Sequence, residues 1–257
     1  MDRKDFTTII DGLQVAYAER GSGRPILFLH GWGSSSDSWS GVADELSKSG
    51  FRVVILDLPG FGKTPPPPQA WGVGEYAAFV EKFGRALDIF PCVLAGHSFG
   101  GQVAVMLASL RPGLVSRLVL VAPAALRPAP GRKELMLQKA ATMMRALLSI
   151  IPDDGAKEYV RRALYRAIGR YDYGRARGIM REVFKKVVRQ DCATLLPAIR
   201  TQTLLLWGEK DALTPLAHGV RIRFPENLQN PSVHFCLHDR SFFRRHPFFN
   251  HPVLGNP

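Results

Sequence analysis

The sequence predicts an α/β fold in which helices flank a mostly parallel central sheet and a helical cap is inserted late in the chain. Three observations predict it. Short apolar runs alternate with amphipathic helical stretches up to residue 121, this alternation stops between residues 126 and 197, and an apolar run returns at 203–207. Short strands that alternate with helices are typical of βαβ units, and therefore of a parallel sheet with helices on its faces.

The predicted elements follow from local patterns. Asp11-Gly12 joins two short strands, at 6–10 and 13–18, because this dipeptide between apolar runs is a strong hairpin signal. Later strands are expected at 26–29, 53–56, 92–95, 117–121, 203–207 and 233–237. Helices are expected at about 39–49, 75–88 and 100–110, and within the cap at 134–150, 157–168 and 175–188. The domain prediction is a first core part at 1–124, the cap at 125–198 and a second core part at 199–257.

Bulk composition limits the class of protein. With 257 residues, 46% of them apolar, the chain can bury a large core. Its longest apolar stretches are too short to cross a bilayer, and its charged N-terminus shows no secretory signal. The three cysteines, Cys92, Cys192 and Cys236, are too few for a disulfide framework and form no metal-binding pattern. These features predict a cytoplasmic protein with no transmembrane segment and no metal site.

Positive charge is in excess, with a formal net charge of +12, and much of it lies between residues 127 and 200. Such an excess can attract anionic substrates, nucleic acid or an acidic membrane surface. No nucleic-acid-binding motif accompanies it, and arginines along helices commonly form solvated faces. We therefore expect solvated helix faces and no nucleic-acid partner.

The segment Gly96-His97-Ser98-Phe99-Gly100 is the most informative motif. It follows an apolar, strand-like run and precedes an amphipathic helical stretch. A serine between two glycines at such a junction is typical of a nucleophile elbow, where a sharp turn projects the hydroxyl above the sheet edge. The glycines allow close backbone packing, and the N-terminus of the following helix stabilises an anion formed beside the serine.

Two further glycine-rich turns follow predicted strands. His30-Gly31-Trp32-Gly33 follows the strand at 26–29, and Asp57-Leu58-Pro59-Gly60-Phe61-Gly62 follows the strand at 53–56. In this order and spacing the three motifs resemble the α/β-hydrolase fold superfamily, and the resemblance extends over about residues 7–215. With serine at the elbow, the motif resembles the serine-hydrolase branch of the superfamily. The haloalkane dehalogenase and epoxide hydrolase branches carry aspartate at this position.

The resemblance implies a catalytic triad in the order serine, acid, histidine. The segment 206–215 resembles the strand end and turn that carry the acid, and Asp211 occupies the matching position. Asp57 and Glu209 are the alternatives. Asp57 precedes the elbow in the chain, and Glu209 is expected to point away from the pocket, so Asp211 is the expected acid.

The resemblance also implies an oxyanion hole made of backbone N–H groups. The expected donors are the amides of Trp32 and Phe99. His30 has a competing claim as the base, but the resemblance implies that it supports the oxyanion turn, and we also include it among the pocket residues. His97 is adjacent to the serine in sequence, and its side chain is expected to point elsewhere.

The histidine base is the open position of the triad. Members of the superfamily carry it in a Gly-His turn after the last strand, and no such pair follows the last predicted strand here. His238 lies at the end of the last predicted strand, at the family's usual spacing from Asp211, and is the expected base. A shifted alignment places Phe242 at this position and leaves the base missing, while His234 and His246 are further alternatives.

The C-terminal tail is atypical. It is rich in histidine, phenylalanine and arginine, and Pro247, Pro252 and Pro257 would interrupt the amphipathic helix that closes this fold in the superfamily. The tail is therefore either divergent or not faithfully encoded.

The cap supplies the predicted substrate pocket. Met143, Met144, Leu147 and Tyr165 can line an apolar pocket, because methionine adapts to irregular shapes. The same side chains can equally fill the core of the cap itself. Both interpretations stay open at this point.

The expected function is that of a serine hydrolase, most simply a carboxylesterase. Ser98, His238 and Asp211 would cleave a carboxylic ester or a related acyl bond, carbon–carbon bonds of ring-cleavage products included. No cofactor is implied, because the glycines at 60 and 62 lack the spacing of a dinucleotide-binding loop. The alternative is a catalytically silent protein that binds a small molecule on the same scaffold and has lost its triad histidine.

Overall fold

An eight-stranded sheet forms the centre of the protein. The computed structural model describes residues 4–127, 176–209, 211, 214, 216–223 and 233–238. Along the chain the strands are β1 (Lys4–Ile10), β2 (Leu13–Arg20), β3 (Arg24–Leu29), β4 (Phe51–Leu56), β5 (Cys92–His97), β6 (Val115–Val121), β7 (Thr203–Gly208) and β8 (Val233–His238). Their order in the sheet is β1-β2-β4-β3-β5-β6-β7-β8. The β1–β2 and β2–β4 pairs are antiparallel and the others are parallel, which confirms the predicted fold class.

The described residues include five α-helices. They are α1 (Ser40–Lys48), α2 (Val73–Ala86), α3 (Phe99–Leu110), α4 (Ile179–Val187) and α5 (Leu216–Arg223). Three 3-10 turns accompany them, at Ser36–Trp39, Pro112–Leu114 and Ala193–Ala198. Within these described ranges, no helix is both long enough and apolar enough to span a membrane.

Each face of the sheet packs against its own helices. Strand residues alternate between the faces, so Leu27 and Leu29 lie with α2, α3 and α4 in the larger core. Ile26 and Phe28 point to the opposite face, where the buried residues of α1 and the ring of Trp39 cover them. Burial on both faces explains why the parallel strands read as continuous apolar runs.

The N-terminal hairpin confirms the turn signal. Asp11 and Gly12 have φ of 49° and 79°, and Ile10 pairs with Leu13 across the turn. A two-residue hairpin turn of type I′ requires positive φ at both central residues.

Several strands begin or end on charged residues outside the predicted apolar runs. β2 continues to Arg20, whose side chain is only 6% exposed and binds Asp44 and the Ser40 carbonyl. β1 begins at Lys4 and β3 at Arg24. Hydrophobic patterns miss these ends because the backbone ladder continues where the side chains become polar.

Helix α5 is absent from the elements that the sequence predicts, although Thr214-Pro215 just before it is a helix-start signal.

The described end of the predicted cap packs as part of the core. α4 begins at Ile179 and not at residue 175, because Gly178, with φ of 51°, precedes it. Met180, Val183 and Val187 on this helix are buried in the larger core. The predicted cap boundary at residue 198 therefore assigns α4 to the cap, although α4 packs in the core. The predicted helices at 134–150 and 157–168 lie outside the described residues, as do Met143, Met144, Leu147 and Tyr165.

Hydrogen bonds join α4 to the helix that follows the serine. The amide of the fully buried Gln102, on α3, donates to the Gln190 carbonyl at 2.9 Å. The Gln190 side chain accepts from the Val73 N–H at 2.5 Å, and the Cys192 N–H donates to the Ala125 carbonyl at 2.8 Å. These contacts connect α2, α3 and α4 on one face of the sheet.

We expect Val183→Ala to lower the free energy of unfolding by about 2 kcal/mol, because it removes two buried methyl groups and leaves a cavity in the core. Val188→Ala, at the C-terminal end of the same helix and 40% exposed, is the matched control and should cost less than about 0.5 kcal/mol. Urea unfolding followed by tryptophan fluorescence measures both. Equal, small losses would show that α4 does not belong to the core.

Candidate active site

Ser98 occupies a strained turn between β5 and α3. Its φ is 49° and its ψ is −111°, a backbone conformation that residues other than glycine rarely adopt. Three backbone hydrogen bonds of 3.0 Å hold it there: the Ser98 N–H donates to Val121, and the Ser98 carbonyl accepts from Gln102 and Ala124. Strain of this kind persists where the surroundings fix it, and it is common at functional sites.

The glycines around Ser98 are required by close backbone contacts. A Cβ at residue 100 would collide with the carbonyl oxygens of Leu29 and His30 at the end of β3. A Cβ at residue 96 would lie 2.5 Å from the carbonyl oxygen of Gly100. The first turn of α3 therefore sits directly against the end of β3, with Ser98 at the helix N-terminus, where the helix dipole favours negative charge.

The turn after β3 faces Ser98. Ser34 donates to the Gly31 carbonyl at 3.2 Å and closes the turn around Trp32. A Cβ placed on Gly31 would lie 3.5 Å from the Cβ of Ser98, so the two turns are in contact. Phe99 is the first residue of α3, where a backbone N–H has no partner inside the helix. Within the described residues, neither the Trp32 nor the Phe99 N–H is used in a turn or loop hydrogen bond.

His30 is a structural residue of this turn. Its ring is fully buried, Nε2 accepts from the Leu58 N–H at 3.1 Å, and Nδ1 lies 2.8 Å from the Gly31 carbonyl oxygen. This pairing requires the neutral tautomer with the proton on Nδ1. Burial lowers the pKa of His30 and outweighs the opposing effects of the Gly31 carbonyl and Asp57. Placing His30 among the pocket residues is wrong, because a fully buried ring cannot line an open cavity.

Asp57 is also committed to the backbone. Its side chain is 2% exposed, Oδ1 accepts from the Ser36 N–H at 2.6 Å, and Oδ2 accepts from the Lys63 N–H at 2.9 Å. The carboxylate thus joins the turns that follow β3 and β4. This geometry explains the aspartate after β4 without a catalytic role.

Asp211 follows β7 at the carboxyl edge of the sheet. Its Oδ1 accepts from the Thr214 N–H at 2.9 Å and its Oδ2 accepts from the Thr214 hydroxyl at 2.8 Å. Thr214 is held in turn by its carbonyl, which accepts from the indole N–H of Trp207 at 2.7 Å. The carboxylate therefore has a fixed orientation at this edge of the sheet. Glu209, the alternative acid, is exposed.

His238 is the last residue of β8 and lies opposite Gly208 in the parallel β7–β8 register. Paired residues of neighbouring strands are about 5 Å apart, so His238 and the Asp211 turn emerge at the same sheet edge. β6 connects this edge to the serine, since Val121 pairs with His97 on one side and with Leu206 on the other. His234 pairs with Leu204, four residues farther from that edge, and His246 lies outside the described residues.

His97 lies closer to the site than the sequence predicts. Its ring packs against the oxyanion turn, where a Cβ on Gly31 would lie 2.8 Å from Nδ1. Burial lowers the pKa of His97, and the Asp211 carboxylate acts in the opposite direction. The charge of Asp211 therefore acts on the His97 ring. The variable position of the elbow motif carries no signal that would reveal this contact.

A cavity of about 610 Å³ opens beside the oxyanion turn. Its described lining residues come from the turns after β3 and β4 and from the approach to α4: Trp32, Gly33, Ser34, Gly60, Phe61, Gly62, Ala176, Arg177 and Met180. The Trp32 ring makes edge contacts with Phe61 and Phe184, with centroids 4.9 Å apart in both pairs. One wall of the cavity is therefore aromatic and touches the turn that faces Ser98.

The chain is similar to several known proteins. A dihydrolipoyllysine-residue acetyltransferase component of the acetoin cleaving system of Cupriavidus necator is 38% identical over 115 residues, 44% of this chain and 30% of that protein. A non-heme haloperoxidase of Rhodococcus erythropolis is 37% identical over 117 residues, 45% of this chain and 43% of that protein. The solved structure of a membrane phospholipase A, described as a bacterial virulence factor, has a TM-score of 0.69 at 26% identity, and the match covers 92% of this chain and 78% of that one.

The two curated relatives are matched over less than half of their own length. The phospholipase structure is similar over nearly the whole of this chain. The profile of the alpha/beta hydrolase fold matches residues 24–159, more than half of the chain, including the turn after β3 and the serine elbow. The chain belongs to the α/β-hydrolase fold family.

Proposed function

We propose that this chain is a serine hydrolase that cleaves a carboxylic ester or a related acyl bond, carbon–carbon bonds included. The observation that carries the proposal is the strained turn of Ser98, which faces the Gly31 turn and stands at the N-terminus of α3. A serine in this position presents its hydroxyl beside backbone donors, which is the arrangement that acyl transfer requires. Asp211, fixed by Thr214 at the same sheet edge, supplies the acid.

In the proposed reaction, Ser98 Oγ attacks the substrate carbonyl while His238 accepts the serine proton. The oxyanion binds the N–H groups of Trp32 and Phe99. His238 then returns the proton to the leaving group, and the acyl group remains on Ser98. Water, deprotonated by His238, releases the acid product in the second half of the cycle. Asp211 accepts a hydrogen bond from the imidazole and stabilises its protonated form.

Two further observations support acyl chemistry. Two of the matched proteins, the phospholipase and the acetyltransferase component, have names that denote acyl-group chemistry. The cavity beside Trp32 offers an aromatic wall for an apolar part of a small-molecule substrate.

Ser98→Ala should reduce the hydrolysis of p-nitrophenyl butyrate by at least about a thousandfold, because the nucleophile is lost while the oxyanion donors remain. Ser109→Ala is the matched control, since this serine lies near the other end of α3 and its hydroxyl donates to the Met106 carbonyl. Initial rates and circular dichroism together separate chemistry from folding. Wild-type activity in a folded Ser98→Ala protein would exclude the elbow as the nucleophile.

His238→Ala should reduce the same rate about as far as Ser98→Ala, since triad members act as a unit. His234→Ala, on the same strand but four residues from the sheet edge, is the matched control and should keep most of the activity. If His238→Ala were as active as the wild type, the base would have to be sought at His234 or His246. If the wild-type chain itself hydrolysed no ester, the silent binding protein would replace the enzyme.

A further inference from the structure

Arg177 places a positive charge on the wall of the cavity beside the oxyanion turn. The other described lining residues are apolar, glycine or serine, so Arg177 is the charged member of that set. Its backbone is fixed, because its carbonyl accepts from the Met180 N–H at 3.2 Å and the preceding Ala176 is buried. The guanidinium therefore extends from an anchored position at the approach to α4.

Among the described residues, the guanidinium of Arg177 has no bonding partner, and in this it differs from the lysines near it. Lys63 pairs with Asp5 at 2.8 Å, Lys185 pairs with Glu182 at 2.6 Å, and Lys186 donates to the Ala70 carbonyl. Within the described part of the chain, the Arg177 side chain makes neither an ion pair nor a hydrogen bond, and it is exposed. It is therefore available to an anion that enters the cavity.

No exposed carboxylate competes for Arg177 among the described lining residues. Asp57 lies behind the turn that contributes Gly60 and Gly62, but it is 2% exposed and accepts from two backbone N–H groups. The rest of the wall, from Trp32, Phe61 and Met180, is apolar and polarizable. The described lining of the cavity thus combines apolar side chains with the guanidinium of Arg177. This combination suits a ligand with an apolar part that ends in a carboxylate.

We propose that Arg177 selects substrates that carry a carboxylate at the end remote from the scissile bond, such as the half-ester of a dicarboxylic acid. The proposal rests on the proposed hydrolase function, because it assigns the substrate class of the same site. The carboxylate binds the guanidinium while the apolar part of the substrate lies against Trp32 and Phe61. The carboxylate can belong to the acyl group or to the leaving group, and the two substrate pairs below distinguish these sources.

The first experiment compares substrates of equal length that differ in charge. Mono-p-nitrophenyl glutarate against p-nitrophenyl valerate places the carboxylate on the acyl group, and 4-carboxyphenyl acetate against p-tolyl acetate places it on the leaving group. Arg177→Gln should lower the ratio of kcat/KM, charged over neutral, by about fivefold in one of these pairs. Arg177→Lys should recover only part of the ratio, because the fork geometry is lost. Unchanged ratios in both pairs would overturn the proposal.

The matched control is Arg189→Gln, which removes the same charge from an exposed arginine that does not line the cavity. It should leave both ratios unchanged. An equal effect of Arg189→Gln would show that the net charge of the chain, and not the position of Arg177, attracts the anion, and it would overturn the proposal. Ser98-dependent hydrolysis of the neutral esters tests the proposed function separately, so the two failures are distinguishable.

A binding measurement tests the contact without turnover. In a Ser98→Ala background, calorimetry should give 4-phenylbutyrate a Kd about fivefold higher when Arg177 is replaced by glutamine. The neutral 4-phenylbutyramide should show a smaller change. Equal changes for the two ligands, or none for either, would contradict the proposal even if the chain proved to have no esterase activity.

Discussion

The close approach between the first turn of α3 and the end of β3 is the contact on which the candidate site depends. Because the carbonyl oxygens of Leu29 and His30 occupy the space of a side chain at residue 100, only glycine allows α3 to begin there. Ser98 is then held at a φ of 49°, a conformation that costs about 1–3 kcal/mol for a residue other than glycine. Hydrogen bonds with Val121, Gln102 and Ala124 maintain it. The same contact brings the Gly31 turn against the serine, so one packing constraint assembles both the candidate nucleophile and the candidate oxyanion donors.

The acidic and histidine side chains at this edge have different roles because their surroundings differ. Both carboxylate oxygens of Asp57 accept from backbone N–H groups. The buried His30 is held neutral because its ring nitrogens bind the Leu58 N–H and the Gly31 carbonyl. Both stabilise the turns that follow β3 and β4. Asp211 instead follows β7, and its carboxylate accepts from the N–H and the hydroxyl of Thr214. The same residue types thus divide into a structural set and a candidate catalytic set.

Much of the fold and part of the site could be predicted from the sequence. The central strands and the elbow follow from apolar runs that end in glycine-rich turns, a local signal. Contacts between distant segments leave no such signal: Gln102 bonds to Gln190 across 88 positions, and Met180 joins the core from a segment that looks like cap. His97 is another case, because its contact with Gly31 arises from the β3–β5 pairing and not from its neighbours in the chain. The position of Arg177 could not be predicted either, since only the folded chain brings it beside Trp32.

We propose that the turns carrying Ser98 and Trp32 form one oxyanion site. The most direct measurement is a crystal structure of the protein after reaction with paraoxon, whose phosphoryl group mimics the tetrahedral intermediate. We expect a covalent bond to Ser98 Oγ, with the phosphoryl oxygen about 2.7–3.1 Å from the backbone nitrogens of Trp32 and Phe99. An adduct on another residue, or a phosphoryl oxygen on Ser98 that points away from both amides, would contradict the account.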